Sequence, residues 1–172
     1  YQYSNFMAPA ISEQRIIRAR APVRVSYSGG GTDMSNYINE IPTAVISSTI
    51  NKYCTASIIV RDDNEIHITS KDLNLKYYTK NIDNIEFGDD LDLIKAAIKI
   101  MRPNFGFDIE TYAEFEPGTG LGGSSAIVVA VIGALNYFRN EQQLDTYQLS
   151  DLAYQVERID MKIHGGWQDQ YA

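Results

Sequence analysis

One cysteine, Cys54, and two histidines, His67 and His164, are all that this 172-residue chain offers to disulfides and zinc sites. A lone cysteine closes no internal disulfide, which agrees with a reducing compartment, and no zinc-ligand spacing passes through two distant histidines. Long apolar runs are missing as well. The longest, Ala126 to Leu135, is about half of what a bilayer crossing needs, and the N-terminus lacks a signal peptide's basic and apolar regions. No membrane partner is expected, and a cytoplasmic location is. Clusters of Lys or Arg are also absent, and 15 basic against 22 acidic residues give a net charge of -7. Such a chain cannot displace counterions along a nucleic-acid backbone, so no nucleic-acid partner is expected and any phosphate ligand should be small. No internal repeat, linker or low-complexity tract divides the sequence. What remains is ordinary for a globular domain with a real core: 44% apolar and 22% charged residues. Residues 1–14 read as a flexible lead-in, and 15–172 as one domain. The twelve tyrosines follow no interval and read as mixed core and surface.

Alternation of Ile17, Ala19, Ala21, Val23, Val25 and Tyr27 predicts a strand from Arg15 to Ser28, bulged or interrupted near Pro22, which cannot donate to a ladder. Gly29-Gly30-Gly31-Thr32-Asp33 follows as a loop. Thr43 to Val60 has strand composition, and shorter strands are expected at Glu65 to Ser70 and Leu75 to Thr79. Leu91, Ile94, Ile98 and Met101 recur at helical spacing and stop at Arg102-Pro103; Phe107 to Ala113 alternates again as a strand. Ala126 to Phe138, apolar nearly all round, predicts a buried helix with Ser124 or Ser125 available as its cap. A last helix is expected from Tyr147 to Lys162, with Leu149, Leu152, Ala153, Val156 and Ile163 on its apolar stripe. Glu157 falls at the border of that stripe, Asp160 competes with it, and Arg158 points to the opposite side.

Between the last strand and the buried helix lies Glu116-Pro-Gly-Thr-Gly-Leu-Gly-Gly-Ser-Ser-Ala126. Glycines admit backbone N–H groups close to a ligand, and the first turn of a helix offers unpaired donors with positive partial charge, so this stretch is suited to an anion. Its letters Gly118-Thr-Gly120-Leu-Gly-Gly123 match the GxGxxG dinucleotide fingerprint. That reading needs a strand after the helix ending in an acidic residue, whereas Glu141 sits in a Gln-rich connection between helices. A Walker loop fails too, since serine stands where its lysine should.

Pro117, Gly118, Gly120, Leu121, Gly122, Ser124, Ser125 and Ala126 resemble the phosphate loop of the galactokinase, homoserine kinase, mevalonate kinase and phosphomevalonate kinase (GHMP) family. Two further segments agree in order. Ala21-Pro-Val-Arg-Val-Ser-Tyr-Ser-Gly-Gly-Gly-Thr-Asp33 resembles the N-terminal sugar-binding motif of galactokinases, with Gly30 and Gly31 in place of a Glu-His pair. Glu157 and Gly165-Gly-Trp-Gln-Asp-Gln170 resemble the family's metal-binding glutamate and the segment bearing its catalytic aspartate. Within the family the motifs look most like kinases acting on D-glycero-D-manno-heptose 7-phosphate, with fucokinases next.

The resemblance implies an α+β fold like that of domain 2 of ribosomal protein S5, a mixed or antiparallel sheet with helices on one side. It also implies a second, C-terminal kinase domain that this chain lacks. ATP and Mg2+ are the implied cofactors, and a sugar or sugar phosphate the partner. Backbone N–H groups of Pro117-flanked Gly118, Thr119, Gly120, Leu121, Gly122, Gly123, Ser124 and Ser125 would hold ATP phosphates. Ser125 and Glu157 would hold Mg2+, Asp169 would orient or deprotonate the acceptor hydroxyl, Arg24 would stabilise transferred charge, and Gly30, Gly31, Thr32 and Asp33 would bind the sugar. Plainer readings exist for each: Glu157 as a solvated helix residue, Asp33 and Asp169 as turn stabilisers, Arg24 in an ordinary ion pair. A silent sugar or nucleotide sensor on the same scaffold is the other functional class, and the combination of Ser125, Glu157 and Asp169 favours the enzyme.

Overall fold

Five strands form a single sheet: β1 (Ile16–Ser28), β2 (Ile46–Val60), β3 (Ile66–Ser70), β4 (Leu75–Thr79) and β5 (Phe107–Ala113), in the order β1-β2-β5-β3-β4. The structure is a computed structural model and describes residues 16–34, 42–139 and 143–172; the expected lead-in and Glu141 lie outside them. All pairings are antiparallel except β3 with β5, so the sheet is mixed, as expected. Register places Ile58, Ile109 and Ile68 side by side across β2, β5 and β3. All three are buried, while Asp108 and Glu110 on either side of Ile109 face outward. Period-2 alternation therefore puts one face of the sheet into the core. Truncating one of these isoleucines to alanine is expected to cost about 2–5 kcal/mol.

That face is covered by α1 (Asp92–Met101), α2 (Gly123–Asn136) and α3 (Thr146–Tyr154). Helix α1 buries Ile94, Ala97, Ile98 and Met101 and ends at Arg102, whose φ of 51° is left-handed, directly before Pro103. Helix α2 lies against β1, β2 and β5 on one side and against α1 and α3 on the other. This sandwiching explains why it is apolar nearly all round, from Ala126 to Leu135. Among the described residues no helix is long and apolar enough to cross a membrane.

Several boundaries differ from expectation for local reasons. At Pro22 the expected bulge is present as a register slip between Pro22 and Arg24, and the strand continues through it rather than being interrupted. Helix α2 starts at Gly123, with left-handed Gly122 (φ 75°) as its N-cap and no side-chain cap, so neither Ser124 nor Ser125 caps it. The last helix is not one α-helix. α3 opens with a reciprocal capping box between Asp145 and Gln148, then widens after Tyr154 into a π-helical turn, Gln155–Asp160. Ile163 is 40% exposed rather than on a buried stripe. None of the described tyrosines is fully buried.

Cys54 sits fully buried on β2, its Sγ 3.5 Å from the carbonyl oxygen of Gly123 at the start of α2. Burial, aided by Asp72 and Glu114, pushes its thiol up to about 12. Since the thiolate is the nucleophile, Ellman's reagent at pH 8 is expected to modify Cys54 only as fast as the protein opens, and at once in denaturant. Rapid native-state labelling would contradict the packing of α2 on β2.

Candidate active site

The slip in β1 builds the first part of the site. A strand in regular alternation buries every second residue, yet Val23 and Arg24 are both buried. The bulge turns Arg24 toward the glycine loop, as bulges re-aim side chains elsewhere. Its backbone N–H donates to the Leu121 carbonyl at 3.2 Å, and its Nη1 donates to the Gly120 carbonyl at 2.7 Å. The other side of the guanidinium meets Asp169: Nε donates to Oδ1 at 2.8 Å, and Nη2 donates to the same oxygen. A planar, five-donor group is what can hold a loop carbonyl and a carboxylate together.

The loop itself is exposed from Glu116 to Gly120 and then enters the helix. Gly122 is the position where glycine is favoured on two counts. Its φ is +75°, and a Cβ there would meet the Asp169 carboxylate carbon at 3.2 Å. The loop thus passes close to Asp169 at the N-terminus of α2. Beside them opens a cavity of about 440 Å³, lined by Arg24, Asp169 and residues 117–124 of the loop. Its far wall includes Asp72, Asp90, Leu93, Ile94, Phe115 and Ile127. Concave, mainly apolar space of this size with convergent polar groups is typical of small-molecule sites.

Behind the loop, the second residue after Gly123 faces a buried polar group. Ser125 Oγ donates to Glu157 Oε2 at 2.7 Å, and Gln170 Nε2 donates to that same oxygen at 2.7 Å and to Ser125 Oγ at 3.1 Å. Glu157 is 1% exposed. It lies in the π turn beside Val156, which is buried as well. Arg158 does not point away, as helical geometry predicts, but lies with Nη2 3.3 Å from Glu157 Oε2. Its Nη1 donates to the carbonyls of Ile163 and His164, each at 3.4 Å. Burial pushes the Glu157 carboxyl above the usual carboxylate range, opposed by the Ser125 hydrogen bond, Arg158 and Gln170.

Oxygen donors here suit a hard divalent cation. Glu157 Oε1 is buried without a hydrogen-bond partner, an expensive condition that a cation would relieve. Among the described residues no group of three or more His, Cys, Asp or Glu could form an all-protein cage. Mg2+ needs none, because it takes one or two protein oxygens and keeps water and phosphate as its other ligands. Ser125 and Glu157 fit that requirement.

The segment carrying Asp169 is fixed from several directions. Trp167 stacks on Tyr154 with ring centroids 3.6 Å apart and planes 7° from parallel, and Tyr171 donates its hydroxyl to Asp151 of α3. Asp33 Oδ2 accepts the Gln168 N–H at 2.9 Å. In the loop after β1, Thr32 Oγ1 donates to the Gly29 carbonyl at 2.8 Å, while an added Cβ at Gly30 would lie 2.8 Å from Ser26 Oγ and 3.4 Å from Gln168 Nε2.

Residues read from widely separated motifs therefore converge: Arg24, Asp169 and the loop 117–124 around one cavity, with Ser125 and Glu157 directly behind. Asp160 is exposed and takes no part in the Ser125 and Glu157 cluster. Gln170, Asp72 and Asp90 were given no functional role from sequence, and Arg158 was placed on the far side of its helix. Only Gln170 carried a signal, standing next to Asp169 in the motif that contains both. Among the described residues no strand follows α2, which removes the acidic strand end that a dinucleotide fold requires.

Comparison with other proteins returns the same α+β fold. Residues 92–172 match the family model described as the GHMP kinases N terminal domain. The chain is 36% identical, over 92% of its length, to the D-glycero-alpha-D-manno-heptose 7-phosphate kinase of Campylobacter jejuni and covers 48% of that protein. The crystal structure of a D-glycero-D-manno-heptose 1-phosphate kinase from Bacteroides thetaiotaomicron superposes with a TM-score of 0.82 at 32% identity, covering 92% of this chain and 53% of that one. A bifunctional fucokinase/GDP-fucose pyrophosphorylase of Arabidopsis thaliana is 28% identical over 93% of the chain, which covers 16% of it. The chain belongs to the GHMP kinase family and carries its N-terminal domain. It spans about half the length of the two heptose kinases.

Proposed function

We propose that this chain is the ATP- and sugar-binding part of a longer sugar kinase that transfers the ATP γ-phosphate to a sugar hydroxyl. The preferred acceptor is the anomeric oxygen of D-glycero-D-manno-heptose 7-phosphate, and a fucokinase- or galactokinase-like acceptor is the alternative. The single observation that carries this reading is the Arg24 and Asp169 pair held against Gly122, at the mouth of the cavity and in front of Ser125 and Glu157. Likeness to two heptose kinases supports the choice of acceptor.

Phosphoryl transfer asks the protein for position and charge rather than for covalent chemistry. The N–H groups of Gly118 to Ser125 would hold the ATP phosphates at the N-terminus of α2. The cavity beyond them would take the nucleoside, its base against Leu93, Ile94, Phe115 and Ile127 and its ribose hydroxyls toward Asp72 and Asp90. Mg2+, held by Ser125 and Glu157, would offset negative charge on the phosphates. Asp169 would accept a hydrogen bond from the attacking hydroxyl and draw its proton. Arg24 holds Asp169 in one rotamer and presents positive charge beside it, and Gly30, Gly31 and Thr32 would border the sugar. A second domain, for which the greater length of the relatives leaves room, would complete the cleft.

The test is ADP formation by the full-length protein with ATP, Mg2+ and a panel of acceptors. Turnover with heptose 7-phosphate at a kcat/KM at least about tenfold above fucose, galactose or mevalonate is expected. Preference for fucose or galactose would move the assignment to the alternative, and binding of ATP without turnover on any acceptor would favour the sensor.

A further inference from the structure

We infer that Lys95 is a positioning residue for the nucleotide: it fixes the acidic turn 88–92 and so places Asp90 in the wall of the cavity beside the glycine loop. The inference rests on the reading of that cavity as the nucleoside pocket. Lys95, on α1, is 1% exposed and does not itself line the cavity. A lysine is almost never buried so completely unless its charge is paired. Here the ammonium is held on three sides. Nζ donates to Asp89 Oδ2 at 2.7 Å, lies 3.5 Å from Asp92 Oδ1, and stands over the Tyr77 ring of β4 at 4.1 Å from its centroid.

The two carboxylates that meet Lys95 also organise the backbone of the turn. Asp92 accepts the Gly88 N–H at 2.9 Å to Oδ1 and 2.8 Å to Oδ2, and Asp89 Oδ1 accepts the Leu91 N–H at 2.8 Å. Asp90 stands between them, and with Leu93 and Ile94 it belongs to the far wall of the cavity. Asp89, Asp90 and Asp92 repel one another, and Lys95 offsets that repulsion from the buried side. Tyr77 extends the tie to the sheet, because its hydroxyl accepts the Glu86 N–H at 2.9 Å just ahead of the turn. Without the Lys95 charge the turn would no longer hold Asp90 in one place. Ribose hydroxyls directed at Asp90 would then lose their acceptor, whereas the phosphates, at the other end of the nucleotide, would keep every contact with the glycine loop. Such a loss weakens ground state and transition state alike, so it falls on nucleotide affinity and not on kcat.

Lys95→Met and Asp89→Asn in the full-length protein cut the tie from its two ends. Methionine keeps the buried stem and can set its sulfur against the Tyr77 ring, while Asp89, whose side chain is 48% exposed, is left to water. Asp89→Asn leaves the core untouched and carries the test if thermal melting shows the methionine variant unfolded. Isothermal titration with Mg2+ present reads the affinity for ADP and for dideoxy-ADP, which lacks both ribose hydroxyls. Each variant is expected to bind ADP about 5- to 20-fold more weakly than the parent protein, and dideoxy-ADP within about twofold of it. Asp90→Asn should show the same selective loss, and Lys95→Met combined with Asp90→Asn no larger one, because Lys95 acts through Asp90. Equal losses for ADP and dideoxy-ADP would reduce Lys95 to a residue of the core and overturn the inference. Unchanged ADP affinity, or additive losses in the double variant, would overturn it equally. A parent protein that binds no ADP would bring down the nucleotide reading of the cavity together with the inference, whereas normal binding by the parent without the selective losses brings down the inference alone.

Discussion

Asp169→Asn lowers kcat by about 10²- to 10⁴-fold while ATP and sugar KM move by less than about threefold. Asparagine preserves the shape of the side chain, and its carbonyl oxygen can still accept from Arg24 Nε, the 2.8 Å contact of the parent protein. What disappears is the negative charge and the basic oxygen that the attacking hydroxyl would meet. Alanine would be a poorer test, because it strands Arg24, whose side chain is 10% exposed, without its partner. Removing one member of a buried pair costs about 3–5 kcal/mol and would mix folding with catalysis. Kinetics and thermal melting of the asparagine variant, measured together, separate the two. Turnover within about threefold of the parent protein would leave Asp169 a mere structural partner of Arg24.

Glu157→Gln removes the part of nucleotide stabilisation that depends on Mg2+ and lowers turnover by about 100-fold or more. Glutamine occupies the same space, and its carbonyl can go on accepting from Ser125 Oγ and Gln170 Nε2, each 2.7 Å from Glu157 Oε2 in the parent protein. The loss falls on Oε1, the buried oxygen without a partner, which becomes an amide nitrogen and cannot bind a cation. Melting curves with ADP, with and without Mg2+, give the readout. A ligand at about 100 times its Kd stabilises the native state by about 2.7 kcal/mol, so a lost Mg2+ contribution is well within detection. Equal Mg2+ shifts in parent and variant would place the cation elsewhere. Arg158 bears on the same readout, because its Nη2 stands 3.3 Å from Oε2 and loses its charged partner; that loss affects stability with and without Mg2+ alike.

Strands β4 and β5 were legible to the residue, because short alternating runs with clear ends such as Phe107 to Ala113 leave little choice of register. The buried character of α2 was legible for a similar reason: ten consecutive apolar or small residues fit only between two layers. Its cap was not. Ser124 and Ser125 are good capping types, but left-handed Gly122 begins the helix earlier and frees Ser125 to face Glu157. The π turn from Gln155 to Asp160 left no mark in composition, since it contains neither glycine nor proline, and within it Arg158 lies beside Glu157 instead of pointing away. In the site, motif order indicated which residues belong together, whereas their mutual contacts depended on the slip at Pro22 that turns Arg24 inward. The plainer readings also hold in part: Arg24 does form an ion pair and Asp33 does stabilise a turn, and both contacts lead to Asp169 or the peptide beside it.

Backbone amide shifts on adding Mg2+ and ADP to the protein test the central claim, that the loop before α2 is the phosphate cradle. The largest changes are predicted at Gly118 to Ser125, whose N–H groups would bond phosphate oxygens, with secondary changes at Asp169 and Gln170. Undisturbed loop amides, with the principal shifts on the outward face of the sheet at residues such as Asp108 and Glu110, would contradict the account.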